Sequence, residues 1–209
     1  MMPRPSLEFW YEFSSTYSYL SAMRIADAAE NAGVTVVWRP FLLGPIFGAQ
    51  GWNTSPFNLY PLKGRYMWRD MEREAARLRL PFCRPTPFPQ NSLLAARVAL
   101  LGIDKGWTPD FTRAVFAAEF GKGRNIGDPV VLAEILTAIG IAPETALAEA
   151  ETEANKARLR RAEEEAQSRG FFGAPTFLAE DGEMFWGNDR LEQALAWAVE
   201  RANRSKWPA

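Results

Sequence analysis

Strand signals lie only at the two ends of this chain, and that distribution most limits the folds open to it. Leu7 to Phe13 is a compact apolar run and reads as a buried strand. Tyr17 to Asn31 reads as a helix. Leu20, Met23, Ala26 and Ala29 recur at threefold spacing, and Asn31-Ala32-Gly33 supplies a stop. Val34 to Arg39 is β-branched and aromatic, so a second strand follows and Pro40 ends it. At the other end, Thr176 to Ala179 and Glu183 to Trp186 flank Asp181-Gly182, a hairpin turn signal. Asn188 or Asp189 then caps a last helix with Leu191, Leu195, Ala198 and Ala202 on one face.

Between these ends the period changes. From about residue 62 to 169, helix signals repeat and strand signals nearly vanish. Met67, Met71, Ala75 and Leu78 form a stripe that stops at Pro81. Cys83 to Gln90 holds three prolines and reads as an extended linker. Asn91 caps a helix bearing Leu94, Val98 and Leu101. Thr108-Pro109 and Asp128-Pro129 each pair an N-cap with proline at the first helical position. Glu144 to Arg169 reads as one charged, alanine-rich helix with a solvated face. The order β-α-β, helical block, β-β-α is that of an α/β chain with a thioredoxin-like fold interrupted by an all-helical insertion domain. Residues 1–45 and 170–209 make the thioredoxin-like domain, and 46–169 make the insertion.

Composition then removes whole classes of chemistry. The chain has 209 residues and is 47% hydrophobic, enough for one large core or two small ones. Its formal net charge of -1 gives no bulk field for nucleic acid or anionic membrane. Met1-Met2-Pro3-Arg4-Pro5-Ser6 lacks the apolar stretch of a signal peptide, and no apolar run is long enough to span a bilayer. These features read as a cytoplasmic protein. There is no histidine, which removes a Ser-His-Asp triad and a histidine base. A lone cysteine, Cys83, allows no internal disulfide and argues against a zinc site; no metal is expected. Gly121-Lys122-Gly123-Arg124 reads as a plain turn between helices.

Two short segments carry the chemistry. Glu12-Phe13-Ser14-Ser15-Thr16-Tyr17-Ser18-Tyr19-Leu20 runs from the first strand into the first helix. Free N–H groups at such a junction favour an anion, and a thiolate there has a lowered pKa. The slot holds Ser15-Thr16-Tyr17-Ser18, a Ser-x-x-Ser where a redox site has two cysteines. Two jobs fit Ser15: donating to a bound thiolate, and capping the helix. Ser14 is a rival cap. Gly173-Ala174-Pro175-Thr176-Phe177 puts proline at the head of a later strand, where a cis Ala174-Pro175 bond would turn the Ala174 backbone toward an extended ligand. A thiol site with no thiol of its own points to sulfur arriving on a ligand.

These segments, with Pro40-Phe41-Leu42-Leu43-Gly44, Lys63-Gly64-Arg65-Tyr66-Met67, Asp70 and Trp186-Gly187-Asn188-Asp189-Arg190-Leu191, resemble the 2-hydroxychromene-2-carboxylate isomerases. These are relatives of the kappa-class glutathione transferases. The resemblance covers nearly the whole chain in order. It implies a glutathione site on a DsbA-like thioredoxin scaffold, usually a homodimer, with glutathione and a small aromatic carboxylate as partners. It implies glutathione-dependent isomerisation of aromatic 2-oxo acids of the 2-hydroxychromene-2-carboxylate type in aromatic hydrocarbon breakdown. The alternatives are a kappa-class-like transferase or peroxidase, and a glutathione-binding protein without catalysis.

Carried over by motif, Ser15 is the catalytic serine facing the glutathione sulfur, with Thr16 and Tyr17 beside it. Asn53 falls where the family has a glutathione-contacting asparagine. Ala174, before the cis-proline Pro175, holds the cysteinyl backbone, and Asn188 and Asp189 hold the γ-glutamyl end. Thr16 departs from the family's proline and loses its preset φ. Glu12 stands where the family tends to have aspartate; it is either a buried proton acceptor or the partner of a lysine or arginine. Trp10, Phe47, Trp52, Phe57, Tyr60 and Trp68 are candidates to line a slot for a flat ring, and Lys63, Arg65 and Arg69 to meet a substrate carboxylate.

Overall fold

A computed structural model describes residues 4–204. Met1, Met2 and Pro3 of the N-terminal stretch read above lie outside the described residues. The chain opens with β1 (Ser6–Tyr11), α1 (Thr16–Ala22), α2 (Ile25–Ala32) and β2 (Thr35–Pro40). It closes with β3 (Thr176–Ala179), β4 (Met184–Trp186), a 3-10 turn at Asn188–Arg190 and one long terminal helix. These strands form a 4-stranded sheet in the order β2-β1-β3-β4. β1 runs parallel to β2 and antiparallel to β3, and β3 is antiparallel to β4. The fold is the thioredoxin-like α/β arrangement, with helices entering between β2 and β3.

β1 is central, and both its faces are covered. Leu7, Phe9 and Tyr11 point into the larger core with Trp38, Phe177 and Phe185. Trp10 points the other way, into a smaller core with Phe41, Ile46, Phe171 and Leu178. Burying each aromatic there stabilises the fold by roughly 1.5–3 kcal/mol. This two-sided burial explains why the segment reads as a continuous apolar run rather than a clean alternation.

The helices between β2 and β3 are α3 (Gly44–Ala49), α4 (Pro56–Leu59), α5 (Pro61–Arg77), α6 (Leu93–Lys105), α7 (Thr108–Phe116), α8 (Pro129–Ala138), α9 (Pro143–Ala150) and α10 (Glu153–Ser168). A π-helical turn, Ala117–Gly121, extends α7. The terminal helix is α11 (Leu191–Arg204). Met67, Met71 and Ala75 form the buried stripe of α5. Asp128 caps α8, accepting the Val130 N–H at 2.9 Å. The Cys83–Gln90 stretch is irregular, with cis bonds before Pro87 and Pro89.

Several expectations need correction. The helix read from Tyr17 to Asn31 is two, broken at Met23 and Arg24. There the Arg24 guanidinium bonds the Asn188 carbonyl at 2.6 Å and its side-chain oxygen at 3.1 Å, so the chain jogs to meet the 3-10 turn. The helix read from Glu144 to Arg169 is also two, because the Thr152 hydroxyl accepts the Asn155 N–H at 3.3 Å and restarts the chain as α10. Thr108 is inside α7 rather than capping it; its hydroxyl donates to the Ala99 carbonyl at 2.8 Å. Ser92 takes the N-cap position of α6, although Asn91 still accepts the Leu93 N–H at 3.1 Å.

A candidate active site at the junction of β1, α1 and β3

Ser15 is the N-cap residue of α1. Its extended backbone (φ -91°, ψ 116°) lets the side-chain oxygen accept the Ser18 N–H at 3.2 Å. The same hydroxyl donates to the Ala174 carbonyl at 2.9 Å. The Ala174-Pro175 bond is cis, so the chain turns into β3 with the Ala174 backbone facing α1. Ser15 therefore fills the capping role raised by the sequence, and its O–H points across to the Ala174 junction.

Ser15, Ala174, Thr16, Tyr17, Asn53, Asn188 and Asp189 all line one cavity of about 1250 Å³. Pro175 does not line it; its carbonyl accepts the Gly187 N–H at 2.9 Å, which ties the junction to the residue before the 3-10 turn. Thr16 is buried, and Tyr17 donates its hydroxyl to Asp70 Oδ2 at 2.9 Å. Cys83 is exposed and stands outside the cavity wall. Ser14 is turned away from Ser15's role, since its hydroxyl donates to the Gln90 carbonyl at 2.6 Å.

The apolar part of the wall comes from Phe47, Trp52, Phe57 and Tyr60, as expected. Trp10 and Trp68 do not take part. Trp10 fills the smaller core, and Trp68 packs edge-on to Phe88 at 4.7 Å. Phe88, Phe172 and Trp186 were not foreseen; the last two form a T-shaped pair at 4.9 Å on the rim. Gly173 permits this, because a Cβ there would lie 2.4 Å from Trp186 Nε1. A Cβ on Gly64 would likewise lie 2.2 Å from the Phe57 carbonyl oxygen, so α4 can rest on the start of α5. Lys63 reaches the cavity with its ammonium 5.8 Å from the Phe57 ring centroid, whereas Arg65 and Arg69 do not reach it. Arg77 and Arg190 also line it, already paired with Glu74 and Asp189.

A family model described as a DSBA-like thioredoxin domain matches residues 6–196. The chain belongs to this family. Among curated relatives, the 2-hydroxychromene-2-carboxylate isomerase of Sphingobium xenophagum is 29% identical over 188 residues, 90% of this chain and 94% of that protein. An isomerase of the same name from Pseudomonas putida is 28% identical over 88% of this chain and 90% of that one. A solved 2-hydroxychromene-2-carboxylate isomerase superposes with a TM-score of 0.82 at 26% identity, covering 96% and 97% of the two chains. The cytosolic disulfide reductase DsbM of Pseudomonas aeruginosa, solved with GSH, shares the fold at a TM-score of 0.69 and 20% identity, covering 97% of this chain and 100% of that one. The likeness to named isomerases supports an isomerase role.

Within this DSBA-like site, the helix carries less electrostatic weight than the sequence suggested. α1 ends at Ala22 after 7 residues, so its dipole is that of a short helix. Asn188 and Asp189 do not cap α11. Gly187 (φ 108°) precedes the 3-10 turn, and the buried Asn188 side chain instead accepts from the Ser21 hydroxyl at 3.0 Å. Asp189 is exposed.

Among the described residues Glu12 has no lysine or arginine partner. One oxygen accepts the Leu43 N–H at 2.9 Å; the other accepts the Ser14 N–H at 3.3 Å and the Ser92 hydroxyl. Burial pushes its carboxyl up, against the pull of these donors. Burial also raises the Tyr17 phenol, reinforced by Asp70. Among the described residues no three His, Cys, Asp or Glu side chains are arranged to hold a metal ion, and no helix is long and apolar enough to cross a membrane.

Proposed function

We propose that this cavity binds glutathione and uses its sulfur to isomerise an aromatic 2-oxo acid of the 2-hydroxychromene-2-carboxylate type. The observation that carries this is the Ser15 hydroxyl, 2.9 Å from the carbonyl of the residue before a cis-proline, on the wall of a cavity without a cysteine. The sulfur enters from the ligand. In the free protein the Ser15 O–H donates to Ala174. A thiolate arriving beside Ser15 takes over that hydrogen, exchanging a neutral acceptor for a charged one, and charge-assisted bonds are roughly twice as strong. The Ala174 carbonyl is then released to accept an N–H of the ligand's cysteinyl backbone.

In this reading Asn53, Thr16 and Tyr17 flank the tripeptide, and its γ-glutamyl end lies at Asn188 and Asp189. The aromatic wall of Phe47, Trp52, Phe57 and Tyr60 takes the substrate ring, and Lys63 takes its carboxylate. The thiolate adds to a conjugated carbon, turning a double bond into a rotatable single bond. Rotation and elimination return glutathione unchanged, so one difficult step becomes two easier ones. A homodimer and a cytoplasmic setting in aromatic breakdown belong to the same reading. The DsbM structure with GSH supports the fold's capacity for this ligand.

The test is calorimetric titration with glutathione, followed by turnover of 2-hydroxychromene-2-carboxylate with free thiol counted over time. Binding and turnover at constant thiol are expected. Stoichiometric loss of thiol would assign a transferase instead, and binding without turnover a glutathione-binding protein. No binding at millimolar glutathione would overturn the reading altogether.

A further inference from the structure

Two carboxyls, Glu12 just before the Ser14-Ser15 turn and Glu119 after α7, are buried, and among the described residues neither is paired with a cation. Glu12 follows β1, lines the cavity, and holds three donors: the Leu43 N–H, the Ser14 N–H and the Ser92 hydroxyl. Its own carbonyl accepts the Ser15 N–H at 3.0 Å, which ties it to the serine across one turn. Glu119 sits in the π-helical turn after α7. It is fully buried, and neither carboxyl oxygen has a hydrogen-bond partner. Burial holds its carboxyl well above the usual range, and the charge of Glu12 adds to that.

An ionised carboxylate buried without a donor costs several kcal/mol, so Glu119 is held as the neutral acid. Glu12, with three donors, is the member that ionises. Two like groups whose surroundings push them apart mark an acid and a base. Glu12 serves the fold by satisfying those donors, whereas Glu119 makes no hydrogen bond among the described residues that would explain an acid there. π-helical turns are also frequent at functional sites.

We propose that Glu12 and Glu119 form a carboxyl pair that takes up the proton of the bound thiol, with Glu12 the acceptor at the cavity wall and Glu119 the positioning residue behind it. This rests on the reading of the cavity as a glutathione site. The S–H bond breaks, its proton forms an O–H bond on Glu12 directly or through one water, and the thiolate stays beside Ser15. When elimination releases the thiolate from the product, the proton returns to sulfur and Glu12 is again an anion. The balance needs no oxidant, reductant or second reactant. The chain has no histidine to do this work. Among the described residues Glu163 of α10 also feels the Glu12 charge: burial pushes it up first, Glu12 and Glu164 add to that, and Arg160 and Arg97 act against it.

The experiment counts protons exchanged on glutathione binding to the full chain, by calorimetry near neutral pH in buffers of different ionisation enthalpy. Thiolate is followed by its ultraviolet absorbance, and S-methylglutathione serves as the ligand without a thiol proton. The wild type is expected to form thiolate without releasing a proton to buffer. Glu12→Gln is expected to release one for every thiolate formed, or to form none. Glu119→Gln should bind glutathione yet shift the pH midpoint of thiolate formation by roughly one unit, tenfold in proton activity. A protonated-carboxyl infrared band of the free wild type should vanish in Glu119→Gln. One-for-one proton release by the wild type, or an unmoved midpoint in Glu119→Gln, overturns the pair while leaving the glutathione site standing. Absence of glutathione binding overturns both. If Glu12→Gln does not fold, the wild-type proton count decides alone.

Discussion

The Ser15 hydroxyl and the Ala174 carbonyl are 159 residues apart in sequence and 2.9 Å apart in space. One hydrogen bond thus joins the start of α1 to the cis-proline junction before β3 and closes the floor of the cavity.

Ser15→Ala should cut turnover of the chromene carboxylate about 100- to 1,000-fold, the usual loss for one donor to developing charge. Glutathione affinity should fall much less. The fold should lose about 0.5–2 kcal/mol through the missing cap. Ser14→Ala should change turnover far less, because that hydroxyl is already engaged by Gln90. Parallel kinetic assays and denaturant melts of the two variants check this; equal activity of Ser15→Ala and wild type would reject the assigned serine.

Asp189→Ala should weaken glutathione binding by about two- to fivefold. The acid lines the cavity but is exposed, and exposed charge pairs contribute little. Calorimetric titration of the variant reads the change directly, and an unchanged Kd would move the γ-glutamyl end elsewhere.

Cys83→Ala should leave turnover and binding unaltered, with stability within about 0.5 kcal/mol of wild type. The thiol is exposed and away from the cavity wall. Abolished activity in a folded variant would mean that the working sulfur is the protein's own.

Gly64→Ala should destabilise, against the ordinary helix preference. Alanine within a helix gains about 1 kcal/mol over glycine. Here the added Cβ meets backbone, the Phe57 carbonyl oxygen at 2.2 Å, and α4 must shift. Overpacking of this kind costs about 1–3 kcal/mol. A thermal melt with weakened ligand binding is expected; a raised Tm would show that α4 does not rest on α5.

Stability should fall as pH rises from about 4.5, the ordinary glutamate value, toward the higher folded values of Glu12 and Glu119. Both are raised by burial, so over that window the folded chain binds more protons than the unfolded one, and unfolding free energy declines with pH. Glu119→Gln removes one such group and should flatten the decline. Urea melts across pH test this, and identical slopes for variant and wild type would count against a buried neutral Glu119.

Much was legible in local sequence. The period of Leu7-Phe9-Tyr11, the Asp181-Gly182 turn, the Asp128 cap and the α5 stripe each depend on neighbours within a few residues, and short-range sterics and hydrogen bonding decide those. The order of such elements sufficed for the thioredoxin-like fold, and Ser15 stood out as a serine at a strand-to-helix junction. What local sequence left open was decided by contacts between distant segments. Arg24 breaks a helix because Asn188 draws it in. Asn188 forsakes its capping place because Ser21 and Arg24 donate to it. Glu12 finds donors on Ser92 and Leu43 rather than a cation. Nothing in Ala117–Gly121 marks Glu119 as an acid sealed from water; only packing removes the solvent that would otherwise keep it charged. Pattern sets which segments become strand or helix, whereas burial and partner geometry set what each polar group can do.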